Sequence, residues 1–245
     1  MVPDPRLFLL LASLAAQRPP AAAPVPVAWD GKVGFSYLAT GGNSQTSSTG
    51  FEAALNRSGP AWSAEGSAAG VSASKRRRRT AESYNAQARL KRRLRKSFQF
   101  TVGLRWERNR FAGLDSRRSA DVSLLWEIRE TPSWKLRALG GLSLSREEPV
   151  RDGPVKDTSG GILQVSGDSK LSPTASWDGQ LTFFPNFQDS QDYRLNGHVG
   201  LQAALSRHVA LRLGYELKYD HQPVPGFGRT DTSTTAALVL QLGGK

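Results

Sequence analysis

Between positions 97 and 107 the chain alternates. Phe98, Phe100, Val102, Leu104 and Trp106 share one parity, and Ser97, Gln99, Thr101, Gly103, Arg105 and Glu107 share the other. A period of two describes a β-strand with one apolar and one polar face. A single segment of this kind fits any half-buried strand of a soluble sandwich. Here the pattern recurs about a dozen times at similar length, with almost no helical stretch between, which points to a closed all-β wall.

The alternation predicts strands near 29–40, 45–57, 61–74, 81–94, 97–107, 119–129, 134–145, 160–171, 177–187, 192–205, 209–220 and 230–241. Between them, Lys75 to Arg79 reads as a charge run outside any strand, 109–115 as a loop, and 147–159 as the longest irregular segment. Ser58-Gly59-Pro60 and Glu130-Thr131-Pro132-Ser133 are turn chemistry, since Gly permits positive φ and Pro fixes its own.

Three features separate this pattern from a soluble barrel or sandwich. Breaks at Ser58, Arg95, Thr131, Pro173 and Ser206 are tight, whereas those beginning near Lys75, Asn109, Glu147, Asn186 and His221 are longer; the break at Gly41 is short and departs from the rule. Short turns at one rim and longer loops at the other are the habit of outer-membrane barrels. Trp29, Trp62, Trp134 and Trp177 each open an odd-numbered strand at the short-turn rim, where an indole with its polar N–H favours a membrane interface. Finally, Arg89, Arg105, Asp121, Glu127, Arg137, Asp168, Lys170, Arg194, Arg212 and Glu216 fall on the parity opposite the apolar stripe. On a lipid-facing wall an Arg or Lys costs about 2–4 kcal/mol at the midplane, so these charges belong to the lumen. A one-residue slip would carry a strand's charges into lipid. The expected fold is an antiparallel up-and-down transmembrane β-barrel of about twelve strands, with both termini periplasmic.

Composition narrows this further. No apolar run reaches the ~20 residues of a transmembrane helix, and mean hydropathy is −0.42, as expected when half of each strand faces water. The chain has no cysteine, which excludes a disulfide framework, a zinc–thiolate site and a thiol nucleophile. The formal charge of +12 raises nucleic acid as a partner. That class is set aside, because the basic residues are dispersed over strands on the parity opposite the aromatics. Lipid phosphates are the better match. Residues 1–16 read as an export signal, with Arg6 before the apolar run LFLLLASLAA and the cleavage pattern Ser13-Leu14-Ala15, small residues flanking a leucine, within its end. Residues 17–28 hold Pro19, Pro20, Pro24 and Pro26 and read as a spacer; the barrel occupies 29–245.

Trp29-Asp30-Gly31-Lys32-Val33-Gly34-Phe35-Ser36, followed by Thr40-Gly41-Gly42-Asn43-Ser44-Gln45-Thr46, resembles the opening of the YdiY-like, salt-induced outer-membrane protein family. In that family a tryptophan–glycine strand leads through a Gly-Asn-Ser/Thr turn into a Ser/Thr-rich strand. The resemblance implies an outer-membrane barrel, delivered by the barrel-insertion machinery and without an assigned activity. The chain departs from many outer-membrane barrels in ending Leu242-Gly243-Gly244-Lys245 rather than in an aromatic residue.

Candidate chemistry is sparse. Lys75, Arg76, Arg77, Arg78 and Arg79 are expected to contact lipopolysaccharide phosphates, where Arg binds bidentately; the alternative is a solvated loop tip. His198 has lumen parity, His208 lies in a tight turn and His221 opens a loop, with no His-x-Ser spacing to suggest a lipid hydrolase. Glu147-Glu148 and Asp189/Asp192 lack the ligand spacing of a calcium site. The expectation is a monomer that is not an enzyme, with no catalytic residues, metal or cofactor. Its lumen charges Arg89, Arg105, Asp121, Glu127, Arg137, Arg194, Arg212 and Glu216 either line a narrow anion-leaning pore or pair off as a plug. The function expected is therefore a structural envelope role or a narrow anion-leaning channel; an enzyme acting on outer-membrane lipids and a soluble ligand-binding barrel are the alternatives.

Overall fold

The computed structural model describes residues 28–40, 46–75, 78–151 and 153–242, apart from the side chains of 37–40, 46–47, 75, 78–81 and 111. The expected export signal (1–16), residues 17–27 of the expected spacer, the expected break at Gly41, and Arg76 and Arg77 of the basic run lie outside the described residues. Twelve strands follow in order: β1 (Ala28–Thr40), β2 (Thr46–Ser58), β3 (Trp62–Lys75), β4 (Arg78–Arg95), β5 (Phe98–Asn109), β6 (Leu114–Glu130), β7 (Trp134–Pro149), β8 (Lys156–Lys170), β9 (Ala175–Pro185), β10 (Tyr193–Ala204), β11 (Val209–Asp220) and β12 (Thr230–Leu242). Each strand pairs antiparallel with its neighbours in sequence, and β12 returns to β1, so the sheet is a closed up-and-down barrel without edges.

Side-chain exposure follows the alternation. On β5, Phe100 and Leu104 are 42% and 60% exposed while Thr101 between them is wholly buried. Phe35, Leu55, Val122, Leu142, Leu163, Leu181, Val199, Leu213 and Leu238 continue the apolar band around the outside. Exposed leucines in such a band mark the lipid face of a transmembrane barrel, with the polar atoms inside. Cross-strand pairs such as Val102↔Leu90 and Val102↔Val122 keep the band in register over three strands.

The strands at the long-loop rim run further than the alternation predicts. β6 begins at Leu114, β7 continues to Pro149 and β8 begins at Lys156, so among the described residues of the segment expected at 147–159 only 150–151 and 153–155 lie outside strands. The longest break among the described residues is instead 221–229. Ser116, Arg117, Glu147 and Glu148 carry the extension, with Arg117 opposite Glu147; charge density there disguised paired strand as loop. The run at Lys75 also differs from expectation. Lys75 closes β3 directly opposite Arg78, so these residues form hairpin strand ends rather than a longer connection. The expected loop at 109–115 is a 3-10 turn at Arg110–Ala112, capped by the Asn109 side chain and ended by Gly113 at φ +80°. A side chain at Gly113 would press on Phe227 and Val224, which the long loop folds over the turn.

Candidate functional site: the charged lumen

Near mid-barrel Arg89 of β4 makes a bidentate pair with Asp121 of β6, Nη1 to Oδ2 at 2.8 Å and Nη2 to Oδ1 at 2.9 Å. The same Nη1 donates to Thr101 Oγ1 at 2.8 Å. Asp121, only 6% exposed, also accepts from Ser123 Oγ at 3.0 Å. The guanidinium must cross β5 to reach its partner, and it does so over Gly103. A Cβ there would lie 2.5 Å from Asp121 Oδ1 and 2.6 Å from Arg89 Nη2. The glycine is thus the floor of the ion pair. Gly103→Val should cost about 1–3 kcal/mol through overpacking, seen as a lower urea midpoint of the purified barrel. An unchanged midpoint would show that the pair is not seated on this position.

Toward the tight-turn rim the same device recurs. Asp178 of β9 accepts both Arg212 Nη1 at 2.7 Å and Nη2 at 2.8 Å, and bonds His198 Nε2 at 2.7 Å. Gly200 lies beneath Arg212, with no room for a Cβ. Arg137 pairs with Asp168 at 2.7 Å, Gln99 donates to Glu127 at 2.7 Å, and Lys91 pairs with Glu65. At this end, residues 130–135, Asp168 and Asp178 border an open vestibule of about 670 Å³.

The long-loop rim is closed by contrast. Arg117 of β6 donates to Glu147 Oε2 through Nε at 2.8 Å, and its Nη atoms lie 3.4 Å from Glu107 and 3.2 Å from Asp220. Lys218 Nζ sits 2.6 Å from Glu107 Oε1 and 3.6 Å from Glu216. Asn109 donates to Asp231 at 3.1 Å. Arg117 and Asp220 belong to β6 and β11, and Glu107 and Lys218 to β5 and β11, and neither pair of strands adjoins in the wall. These contacts therefore span the lumen. Lys156 adds a pair with Asp192 at 2.9 Å. Burial pushes the Asp192 carboxyl up, but Lys156 and Asn186 outweigh it and hold that carboxyl below its ordinary range. Two spaces among these groups measure about 20 and 40 Å³, each room for isolated waters.

Beneath the closed rim lies an apolar cluster that the alternation alone does not reveal. Leu125, Leu139, Ile162 and Phe184 point inward and are nearly or fully buried. Each adjoins an outward apolar residue (Leu124, Ala138, Leu163, Phe183), so the sequence signal was a doubled apolar position. The guanidiniums of Arg105 and Arg194 lie over the Phe184 ring, 5.0 and 5.2 Å from its centroid. Arg105 reaches there from β5, across the lumen from β9. Among the described residues neither guanidinium has a carboxylate at ion-pair distance.

Each of the eight residues expected in the lumen makes a side-chain contact in the structure. The structure brings Arg89 to Asp121 and Arg105 to Arg194, while Glu216 meets Lys218, and Glu127, Arg137 and Arg212 serve separate contacts. Sequence reasoning missed Glu107, Arg117, Lys218 and Asp220, the groups that span the lumen. Their parity was legible; that they meet across the barrel was not. Among the described residues no cluster of His, Asp and Glu could hold a metal ion. His198 is hydrogen-bonded to Asp178 and to no serine there.

Outside, Trp29, Trp62 and Trp134 open their strands at the tight-turn rim, 57%, 45% and 36% exposed, and Trp177 lies near the start of β9. Of the basic run, Lys75, Arg78 and Arg79 have described backbone only.

Wall, sidedness and lumen together define an antiparallel up-and-down transmembrane β-barrel of twelve strands. The chain matches, over residues 33–242, the family described as protein of unknown function, DUF481, and it belongs to that family. No curated protein matches it. Among solved structures it is similar to the NanC porin at 13% identity, covering 87% of this chain and 98% of that one, with a TM-score of 0.49. An outer membrane channel from Pseudomonas putida F1 is also 13% identical, covering 92% and 100%, with a TM-score of 0.48. An anion-selective porin from Comamonas acidovorans is 10% identical, covering 89% and 99%, with a TM-score of 0.43.

Proposed function

We propose that this protein is an outer-membrane channel of the YdiY-like, salt-induced type, narrow and anion-leaning, and latched at its extracellular rim by ion pairs. The observation that carries the reading is Arg117, which ties Glu107 and Glu147 to Asp220 on the far side of the lumen. Longer loops belong to the extracellular side and short turns to the periplasm. The open vestibule therefore faces the periplasm and the latch faces out. The partly exposed pairs of the latch, Asp220 and Glu147 among them, are screened less than surface pairs but still weaken as salt rises, so the latch loosens when ionic strength is high. Behind it the passage is lined by Arg105 and Arg194 over Phe184, whose positive charges favour anions.

Planar-bilayer recording of the purified protein tests this. Step conductance should rise more steeply than the bulk conductivity as KCl is raised, with reversal potentials under a salt gradient indicating anion preference. Replacing Arg105 and Arg194 together with Gln should abolish that preference while steps persist. Steps that keep their anion preference in the double variant would remove these two residues from the permeation path. A barrel silent at every salt concentration, in the wild type and in latch variants, would favour a purely structural envelope protein.

A further inference from the structure

The chain carries a net charge of +12, yet much of the lumen charge is internally paired: Arg89 with Asp121, Arg117 with three carboxylates, Arg137 with Asp168, Lys156 with Asp192 and Arg212 with Asp178. Unpaired cations are found on the outer wall. Arg57, Arg92 and Arg129 lie over the rings of Trp29, Trp62 and Trp134, at 5.8, 5.5 and 5.3 Å from the ring centroids. All three pairs sit at the tight-turn rim, and none of the three guanidiniums has a carboxylate at ion-pair distance among the described residues.

Two different local routes lead to this arrangement. Trp29 is directly opposite Arg57, and Trp62 directly opposite Arg92, in regular antiparallel register. Arg129 has the wrong parity to face outward on a regular strand. A register shift between Glu127 and Arg129 places it opposite the outward Leu136, and so beside Trp134. The wall is irregular at the one place where regularity would have turned this arginine into the lumen.

From this geometry we infer that Arg57/Trp29, Arg92/Trp62 and Arg129/Trp134 are three binding sites for phospholipid phosphodiesters of the periplasmic leaflet. The indole covers one face of each guanidinium and limits its freedom. The in-plane N–H donors at the edge remain free, and that fork matches two phosphate oxygens. Tryptophan seeks the headgroup depth, where an outward arginine carries little of the penalty it would meet at the midplane. The rim fixes the lipid class. Tight turns face the periplasm, so the phosphate is that of a glycerophospholipid rather than of lipopolysaccharide. A phosphate with no ammonium beside it should bind best, which favours phosphatidylglycerol over phosphatidylethanolamine. The inference depends on the barrel being inserted, not on its conducting ions.

Native mass spectrometry of the intact barrel in detergent tests it, with phosphatidylglycerol as probe and diacylglycerol of the same acyl chains as control. The wild type should retain phosphatidylglycerol and not diacylglycerol. R57Q/R92Q/R129Q should bind it about tenfold more weakly or worse, as expected when charge-assisted hydrogen bonds are removed. Equal retention of diacylglycerol, or undiminished phosphatidylglycerol in the triple variant, would overturn the sites, because the acyl chains would then be the cause. Heat-modifiable migration on gels reports whether the variant is folded. Should it not fold, the single variants and R57K/R92K/R129K decide. Lysine keeps the charge but not the fork, so intermediate retention supports the sites and wild-type retention overturns them.

Discussion

Arg117→Ala should convert a closed barrel into a conducting one, and it should do so at a visible cost in stability. Removing the guanidinium leaves Glu107, Glu147 and Asp220 facing one another across the lumen, and Lys218 neutralises only Glu107 directly. Breaking a buried ion-pair network by deleting one partner typically costs about 3–5 kcal/mol, less here wherever water enters the gap. Repulsion among the three carboxylates should then drive the rim apart. In planar bilayers the variant should show frequent open steps at low salt, where the wild type is mostly shut, together with a lower urea midpoint. Arg117→Lys should lie between the two, since an ammonium keeps the charge but cannot fork to partners on several strands. If Arg117→Ala is destabilised but no more conductive than the wild type, the hub is structural reinforcement and the latch lies elsewhere.

Most of the wall was legible in the sequence because one rule governs it. Hydrocarbon outside and water inside force a period of two, and Phe98 to Trp106 obey it without exception. The rim was harder to read. Ser116, Arg117, Glu147 and Glu148 are strand residues whose polarity suits a loop equally well, and only pairing with a neighbour distinguishes the two. The lumen network was harder still. Arg89 and Asp121 are two strands apart and their shared parity hinted at a meeting, with Gly103 as the gap that permits it. Arg117 and Asp220 are 103 residues apart in sequence and lie on β6 and β11, which do not adjoin in the wall. Their meeting depends on barrel diameter and side-chain reach, which no local pattern encodes. Arg129 shows the converse limit: its odd position shares the polar parity of β6, and a single bulge sets it over the outward Trp134 instead.

Val102→Arg should prevent assembly. Val102 sits near the middle of β5, outward, between Leu90 and Val122 on the adjoining strands. An arginine at that depth costs about 2–4 kcal/mol, and the headgroups lie several residues away along the strand in either direction. Snorkelling, which rescues Arg57 and Arg92 near the rim, offers little at this position. The variant should accumulate as unfolded material without heat-modifiable migration, while Val102→Leu, which keeps the apolar surface, should assemble as the wild type does. Arg105→Val supplies the opposite arm. Its side chain lies over Phe184 inside the barrel, where an apolar replacement removes a cation without burying a new charge, so assembly should survive. If instead Val102→Arg inserts normally and Arg105→Val fails to fold, the apolar stripe faces an interior and water wets the outside, and every assignment of lumen and lipid face would be inverted.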